Sequence, residues 1–256
     1  MPRRRTKLYE FKGAKMKSID KVESVFDKRS QEPAKDGVST AVIKRLPRYY
    51  RYLGDLIREG RLRISSSELS GLMNVTASQI RQDLNCFGGF GQQGYGYNIK
   101  YLYSKIGELL GVSEGYRAVI VGAGNLGKAL AATHMFERRG IQRIAMFDND
   151  PRIVGSKIYG LDVYHIDTLS DFCIREKVDI GVLTVPKEVA PEIAVILEKS
   201  GVRGIWNFAN MELKPEEYSI PVENIHMGDS LMTLCYGIKV ARERAEAEKT
   251  DGEKAE

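Results

Sequence analysis

Tyr116-Arg-Ala-Val-Ile-Val-Gly-Ala-Gly-Asn-Leu-Gly-Lys-Ala-Leu130 is the stretch from which the fold is read. Arg117 to Val121 is a short β-branched run of the length of a buried strand. It runs directly into Gly122-x-Gly124-x-x-Gly127. Leu126, Ala129, Leu130 and Ala131 then recur at helical spacing. Strand, glycine turn and helix in this order are what a dinucleotide-binding unit requires. Gly122 permits the tight turn, Gly124 lets a pyrophosphate approach the backbone, and Gly127 lets the helix pack close to the strand. The helix N-terminus offers unpaired N–H groups and the positive end of its dipole to phosphates. Gly122, Ala123, Gly124, Asn125, Leu126 and Gly127 are therefore expected to line a cofactor site. A second strand, Arg143 to Phe147, ends at Asp148, 21 residues after Gly127. A carboxylate there accepts hydrogen bonds from ribose hydroxyls and repels a 2′-phosphate, so NAD(H) is favoured over NADP(H).

Beyond Asp148, helices and strands alternate. Strands are expected at Leu161–Ile166, Asp179–Val185, Gly204–Ala209 and Val222–Met227, with helices at Asp171–Glu176 and Glu188–Lys199. Such alternation folds as a parallel sheet with right-handed crossovers. Ligands bind at the carboxyl edge of such a sheet. Thr184, Pro186, Asn207 and Phe208 stand at strand ends there and are expected to flank a nicotinamide. Ordinary loop turns are the competing reading of these four. Gly228 to Lys249 reads as one last helix, apolar at Leu231, Leu234, Cys235 and Ile238, then charged. It either caps its own sheet or crosses to a partner subunit.

The other side of the chain differs in charge. Residues 1–105 carry 21 Lys+Arg against 10 Asp+Glu, a net +11, whereas residues 106–256 carry 18 against 24, a net −6. A basic first part points to a polyanionic partner. Residues 1–38 are charged and lack periodicity, the composition of a disordered tail. From Thr40, Val42, Leu46, Leu53 and Leu56 mark an amphipathic helix, with Pro47 predicting a kink or a fresh start. Ser65-x-x-Glu68 and Thr76-x-x-Gln79 are capping boxes that open two short helices. Together with the first helix they form a helix-turn-helix. Its second helix presents Ser78, Gln79, Arg81, Gln82 and Asn85, side chains suited to base edges and phosphates. Arg58 and Arg63 are expected on phosphates. Phe87 to Tyr97 alternates glycine with aromatics and glutamines, as a β-hairpin wing would. A further amphipathic helix, Tyr101 to Gly111, leads to an interdomain joint at Ser113–Gly115. Plain solvent exposure is the competing reading of the polar helix face.

Length and composition bound the rest. At 256 residues two domains can each bury a core. No apolar run approaches the ~20 residues of a membrane span. The basic N-terminus lacks the apolar core of a secretory signal. Cys86, Cys173 and Cys235 are far apart and form no metal or redox pair, so core filling in a reduced, cytoplasmic protein is expected, with no metal.

These elements in this order resemble the Rex family of redox-sensing transcriptional repressors, over about residues 40–245. The marks are Arg45-Leu-Pro-Arg-Tyr-Tyr-Arg-Tyr-Leu53, Gln79-Ile-Arg-Gln-Asp-Leu84, Phe87-Gly-Gly-Phe-Gly91, Gly94-Tyr-Gly-Tyr97, Val121 to Leu130, Leu183-Thr-Val-Pro186 and Asn207-Phe-Ala209. The resemblance implies an α/β protein. An N-terminal winged-helix DNA-binding domain (39–112) precedes a Rossmann dinucleotide-binding domain (116–227) and a C-terminal dimerisation helix (228–249). It adds Arg45 and, on the wing, Gln93 to the DNA-facing set. It implies a homodimer that exchanges this helix, binds double-stranded operator DNA while NAD⁺ is plentiful and leaves it when NADH binds. An NAD-dependent oxidoreductase with an accessory basic domain is the alternative. Against it, His134, His165 and His226 show no catalytic spacing, and residues 115–227 leave little room for a substrate domain. FAD or S-adenosylmethionine would also suit the glycine turn.

Overall fold

The computed structural model describes residues 38–87, 91–92 and 96–253. The chain divides into two compact units, with the boundary between Gly111 and Val112. Of the tail expected over residues 1–38, residues 1–37 lie outside the described residues, and Val38 is buried.

In the first unit, helix α1 (Thr40–Arg58) buries Val42, Leu46, Tyr49, Leu53 and Leu56 along one stripe. It does not restart at Pro47. Pro47 and Ile43, whose carbonyl loses its i+4 partner, both lie on the exposed face, so the freed oxygen is on the solvent side of the helix. Strand β1 (Arg63–Ile64) follows, too short to register in the sequence. Helix α2 (Ser66–Met73) opens on a complete capping box: Ser65 Oγ accepts the Glu68 N–H (3.1 Å) and Glu68 accepts the Ser65 N–H (2.8 Å). Asn74 ends it in the left-handed conformation. Helix α3 (Ala77–Asn85) has only half of its expected box. Thr76 Oγ1 accepts the Gln79 N–H (3.1 Å), but the Gln79 side chain turns to Asp83 instead of back to the cap. Strands β2 (Gly91–Gln92) and β3 (Gly96–Asn98) pair antiparallel, and β1 adds to β3, as in a winged helix. The hairpin tip with Gln93 lies outside the described residues. Helix α4 (Ile99–Leu109) starts two residues earlier than expected, because Asn98 caps it by accepting the Tyr101 N–H (3.0 Å). Leu109, near the end of this helix, is exposed.

The second unit is built on a seven-stranded sheet. Strands β4 (Arg117–Val121), β5 (Gln142–Asp148), β7 (Leu161–His165), β8 (Ile180–Leu183), β9 (Gly204–Asn207) and β10 (Val222–Asn224) run parallel. Their spatial order is β7-β5-β4-β8-β9-β10, which is the 3-2-1-4-5-6 order of a dinucleotide fold. Strand β6 (Lys157–Ile158), missed in the sequence, adds antiparallel at the β7 edge. Helix α5 (Asn125–Ala132) follows β4, α6 (Leu169–Glu176) follows β7, and α7 (Ala190–Lys199) follows β8. These helices and the sheet bury two apolar layers. Val119, Val121, Phe147, Leu183 and Leu197 fill one face, and Ile120, Met146, Val163 and Val182 the other. β10 is shorter than expected, ending at Asn224 rather than Met227. Cys173 fills the core, and burial pushes its thiol up to about 12. Cys86 and Cys235 are exposed, against the core-filling expectation.

Helix α8 runs from Met227 to Glu253. Leu231, Leu234 and Ile238 are 62, 59 and 53 % exposed. Of the two expectations for this helix, capping its own sheet is therefore wrong.

Candidate functional site

The cleft of the second unit lies where the strand order reverses, between β4 and β8. Gly122 follows β4 with φ +101°, a conformation that side chains resist, and a Cβ there would meet the Thr184 carbonyl oxygen at 2.5 Å. Gly127 sits on the first turns of α5, where a Cβ would fall 1.9 Å from the Gly122 oxygen. Thr184 pins the same turn: its hydroxyl donates to the carbonyl of Gly122 (2.7 Å) and lies 3.1 Å from that of Val121. β5 and β8 fix the strand end from both sides, through Gly122 N–H to Phe147 O and Thr184 N–H to Val121 O, each 2.8 Å. By contrast, a Cβ at Gly124 would meet nothing within 4 Å. Gly124 caps α5 without a side-chain hydrogen bond. The helix thus opens on an exposed, side-chain-free turn, the arrangement that accepts a diphosphate.

Asp148, half-buried at the end of β5, accepts the Ala123 N–H (2.6 Å) on one oxygen and the Asp150 N–H (2.9 Å) on the other. Each carboxylate oxygen retains a further acceptor site. Val121, Gly122, Gly124, Asp148, Thr184 and Pro186 all line a cleft of about 650 Å³. Sequence reasoning missed its far wall: Ile193, Ile196 and Lys199 on α7, and Ser170 on α6. The signal available was the apolar face of α7, which continues past the core into the cleft.

Asn207 and Phe208 are not among the residues that line this cleft. Asn207 is fully buried and its amide is spent on the fold. It donates to Met211 O (2.9 Å) and Asn224 Oδ1 (2.8 Å), and accepts the Ala209 N–H (2.9 Å). With both N–H groups spent and its oxygen holding the Ala209 N–H, this buried amide ties β9 to β10. Phe208 packs edge-on against Trp206 with centroids 4.6 Å apart.

In the first unit the polar face of α3 presents Ser78, Arg81 and Gln82 to solvent, as expected. Arg81 donates to Ser66 Oγ (3.0 Å) on α2. Arg58 and Arg63 are exposed, Arg58 being paired with Asp55 on its own helix. Arg45 is placed otherwise. Its guanidinium grips Asp83 with two bonds of 2.7 Å. Tyr49 Oη (2.9 Å) and Gln79 Nε2 (2.8 Å) donate to the same carboxylate. Asp83 is 0 % exposed. Burial pushes its carboxyl up, but the bonds from Arg45, Gln79 and Tyr49 outweigh this and hold it below the ordinary carboxylate range. Arg45, expected to face DNA, is held in an ion pair with the buried Asp83 that ties α1 to α3, and its side chain stays 25 % exposed. Gln79, half-buried, shares its side chain between that hub and the surface.

Among the described residues no three metal-ligating side chains gather, and no helix is long and apolar enough to cross a membrane.

Two family models match the chain: one described as "CoA binding domain" at residues 113–211, the other as "Putative DNA-binding protein N-terminus" at residues 37–85. The redox-sensing transcriptional repressor Rex of Caldicellulosiruptor saccharolyticus is 50% identical over 202 residues, 79% of this chain and 92% of that protein. A crystal structure of RSP in complex with beta-NAD+ and operator DNA superposes with a TM-score of 0.75 at 47% identity, covering 82% of this chain and 97% of that one. A structure of RSP with beta-NADH gives 0.75 at 44%, covering 82% and 98%. A crystal structure of RSP is described as that of a Rex-family repressor. With 50% of 202 aligned positions identical across 92% of the length of such a relative, and with a winged helix and a 3-2-1-4-5-6 sheet on one chain, this protein belongs to the Rex family of redox-sensing transcriptional repressors.

Proposed function

We propose that the protein is a cytoplasmic repressor that binds operator DNA as a homodimer and is released when NADH replaces NAD⁺. The observation that carries this is the open, glycine-floored cleft with Asp148 at its rim, on the same chain as a helix-turn-helix. The diphosphate lies on the bare N-terminus of α5, Asp148 takes the adenosine ribose, and the nicotinamide end lies toward Thr184 and Pro186. Ser78, Gln79, Arg81 and Gln82 meet base edges and phosphates, with Arg58 and Arg63 on the backbone. The cleft performs no reaction.

The second copy has a surface to meet. α8 carries its leucines outward, and Trp206, Phe136, Ile205 and Val222 line an apolar hollow of about 500 Å³ on the sheet. Burying such groups drives association. The reduced nicotinamide is neutral and the oxidised ring cationic, so an apolar environment favours the reduced form. Only a difference in affinity between the two dimer arrangements can shift their balance. A dimer must match half-sites ~34–36 Å apart, so a small change in spacing releases DNA.

The test is fluorescence anisotropy of a labelled duplex, selected by the protein from a random pool, across NADH/NAD⁺ ratios at fixed total nucleotide, with coenzyme A as a control ligand. Binding is expected to fall as the NADH share rises, with coenzyme A without effect. A flat response would reduce the nucleotide to a structural part.

A further inference from the structure

The loop after β5 carries two carboxylates with different partners. Asp148 faces the cleft and takes backbone N–H groups. Asp150, whose own N–H is one of those donors, turns its side chain to a cation. Its Oδ1 accepts the Arg152 N–H and Nε (each 2.9 Å), and its Oδ2 accepts Arg152 Nε (3.0 Å) and Nη2 (2.6 Å). Arg152 is otherwise in solvent, 86 % exposed. The Asp150 carboxyl is held down to about 2, by the Arg152 side chain first, then its backbone, with Lys128 on α5 adding to the pull.

An arginine close behind the ribose-binding acid is how a dinucleotide site accepts a 2′-phosphate. Here such an arginine stands four residues after Asp148, yet the Nε/Nη2 edge of its guanidinium is already taken by Asp150. We propose that Asp150 is a specificity-determining residue, which by its forked pair with Arg152 withholds that guanidinium from the 2′-phosphate of NADPH and completes the preference for NADH that Asp148 begins. The inference rests on the reading of the cleft as an NAD(H) site with Asp148 at the adenosine ribose. Local charge supports it. Asp148 and Asp150 balance Arg152 and Lys128, and loss of Asp150 leaves the ribose end of the cleft with an excess of one positive charge. A dianionic phosphate gains from that excess and the uncharged ribose of NADH does not. The arginine side of the pair is exposed, so its grip is weak and the effect is graded.

The experiment is titration of the nucleotide-free, full-length protein with NADH and NADPH, followed by the fluorescence of the reduced nicotinamide. Wild type, Asp150→Ala and the double variant Asp150→Ala/Arg152→Ala are compared by the ratio of the two affinities. Asp150→Ala is expected to move the ratio toward NADPH by about five-fold, the scale of one exposed ion pair. The double variant is expected to move it back. An unchanged ratio in Asp150→Ala, or a gain that survives loss of Arg152, overturns the proposal while NADH binding keeps the site reading intact. Wild-type protein that binds neither nucleotide overturns both.

Discussion

Asp83 and Asp148 are both aspartates held by several donors, and the two units use them in opposite ways. Asp83 is sealed, with every donor a side chain and one of them a full cation. Asp148 is held by backbone N–H groups alone and keeps one side on a cleft. The first arrangement neutralises a charge inside the fold and makes a joint. The second leaves a net negative charge, rigidly aimed, that a ligand's hydroxyl groups can complete. The identity of the residue does not separate structure from recognition; the nature of its donors and the side left open do.

The largest effect is expected at the sealed end. Asp83→Ala leaves Arg45 without its partner and Tyr49 and Gln79 without an acceptor. Removing one half of a buried pair costs about 3–5 kcal/mol, with the low end expected because Arg45 retains a quarter of its exposure. Urea unfolding separates the units. The single tryptophan, Trp206, reports the second unit, and far-UV dichroism reports both. The variant is expected to lose the dichroism transition early while the Trp206 transition stays. A Trp206 transition that shifts equally, or a dichroism curve that does not move, would deny Asp83 its local role.

A smaller effect is expected at the open end. Asp148→Ala removes charge-assisted bonds to the ribose hydroxyls, each worth about 1.5–3 kcal/mol. NADH affinity is expected to fall roughly 10- to 100-fold, with DNA-unit stability unchanged. Full NADH affinity in this variant would place the ribose elsewhere.

The smallest effect tests a third carboxylate, on the surface. Glu68 is drawn down to about 2 by the Ser65 N–H, then the Ser65 hydroxyl and Arg61. Its folded value lies below the ordinary 4.5, so its contribution is complete above about 4.5 and drains away as pH falls toward 2. Wild type and Glu68→Ala are expected to differ in thermal midpoint at pH 6 and to converge near pH 2. Parallel midpoints across that range would show the capping box to be energetically silent.

The nucleotide unit was legible because its decisive contacts are local. Gly122, Gly124 and Gly127 act within six residues, and Asp148 lies at the end of the next strand. The joints were hidden because they span the chain: Arg45 to Asp83 crosses 38 residues, and Asn207 to Asn224 crosses 17. A trace of the first was present. Ile80, Asp83 and Leu84 share the inward face of α3, and an acid on such a face demands a cation from another helix. Asn207 offered no such trace, since an amide at a strand end reads equally as ligand contact or as tie. Pro47 misled because its helical cost depends on whether water reaches the freed carbonyl, which periodicity does not encode.

The crowding around Gly127 has a consequence for sequence drift. Every single-base missense change of a glycine codon introduces a Cβ, and here any Cβ strikes the Gly122 carbonyl at 1.9 Å and the Thr184 hydroxyl at 2.9 Å. Because one of those obstacles is backbone, no compensating side-chain change in a neighbour clears it. The turn is therefore a fixed point for point mutation, whereas no such backbone obstacle confines the half-buried Asp150 or the exposed Arg152. On the proposed reading, a lineage built on this scaffold retunes its choice of nucleotide at Asp150 and Arg152 one codon at a time, while the turn beneath the diphosphate stays fixed.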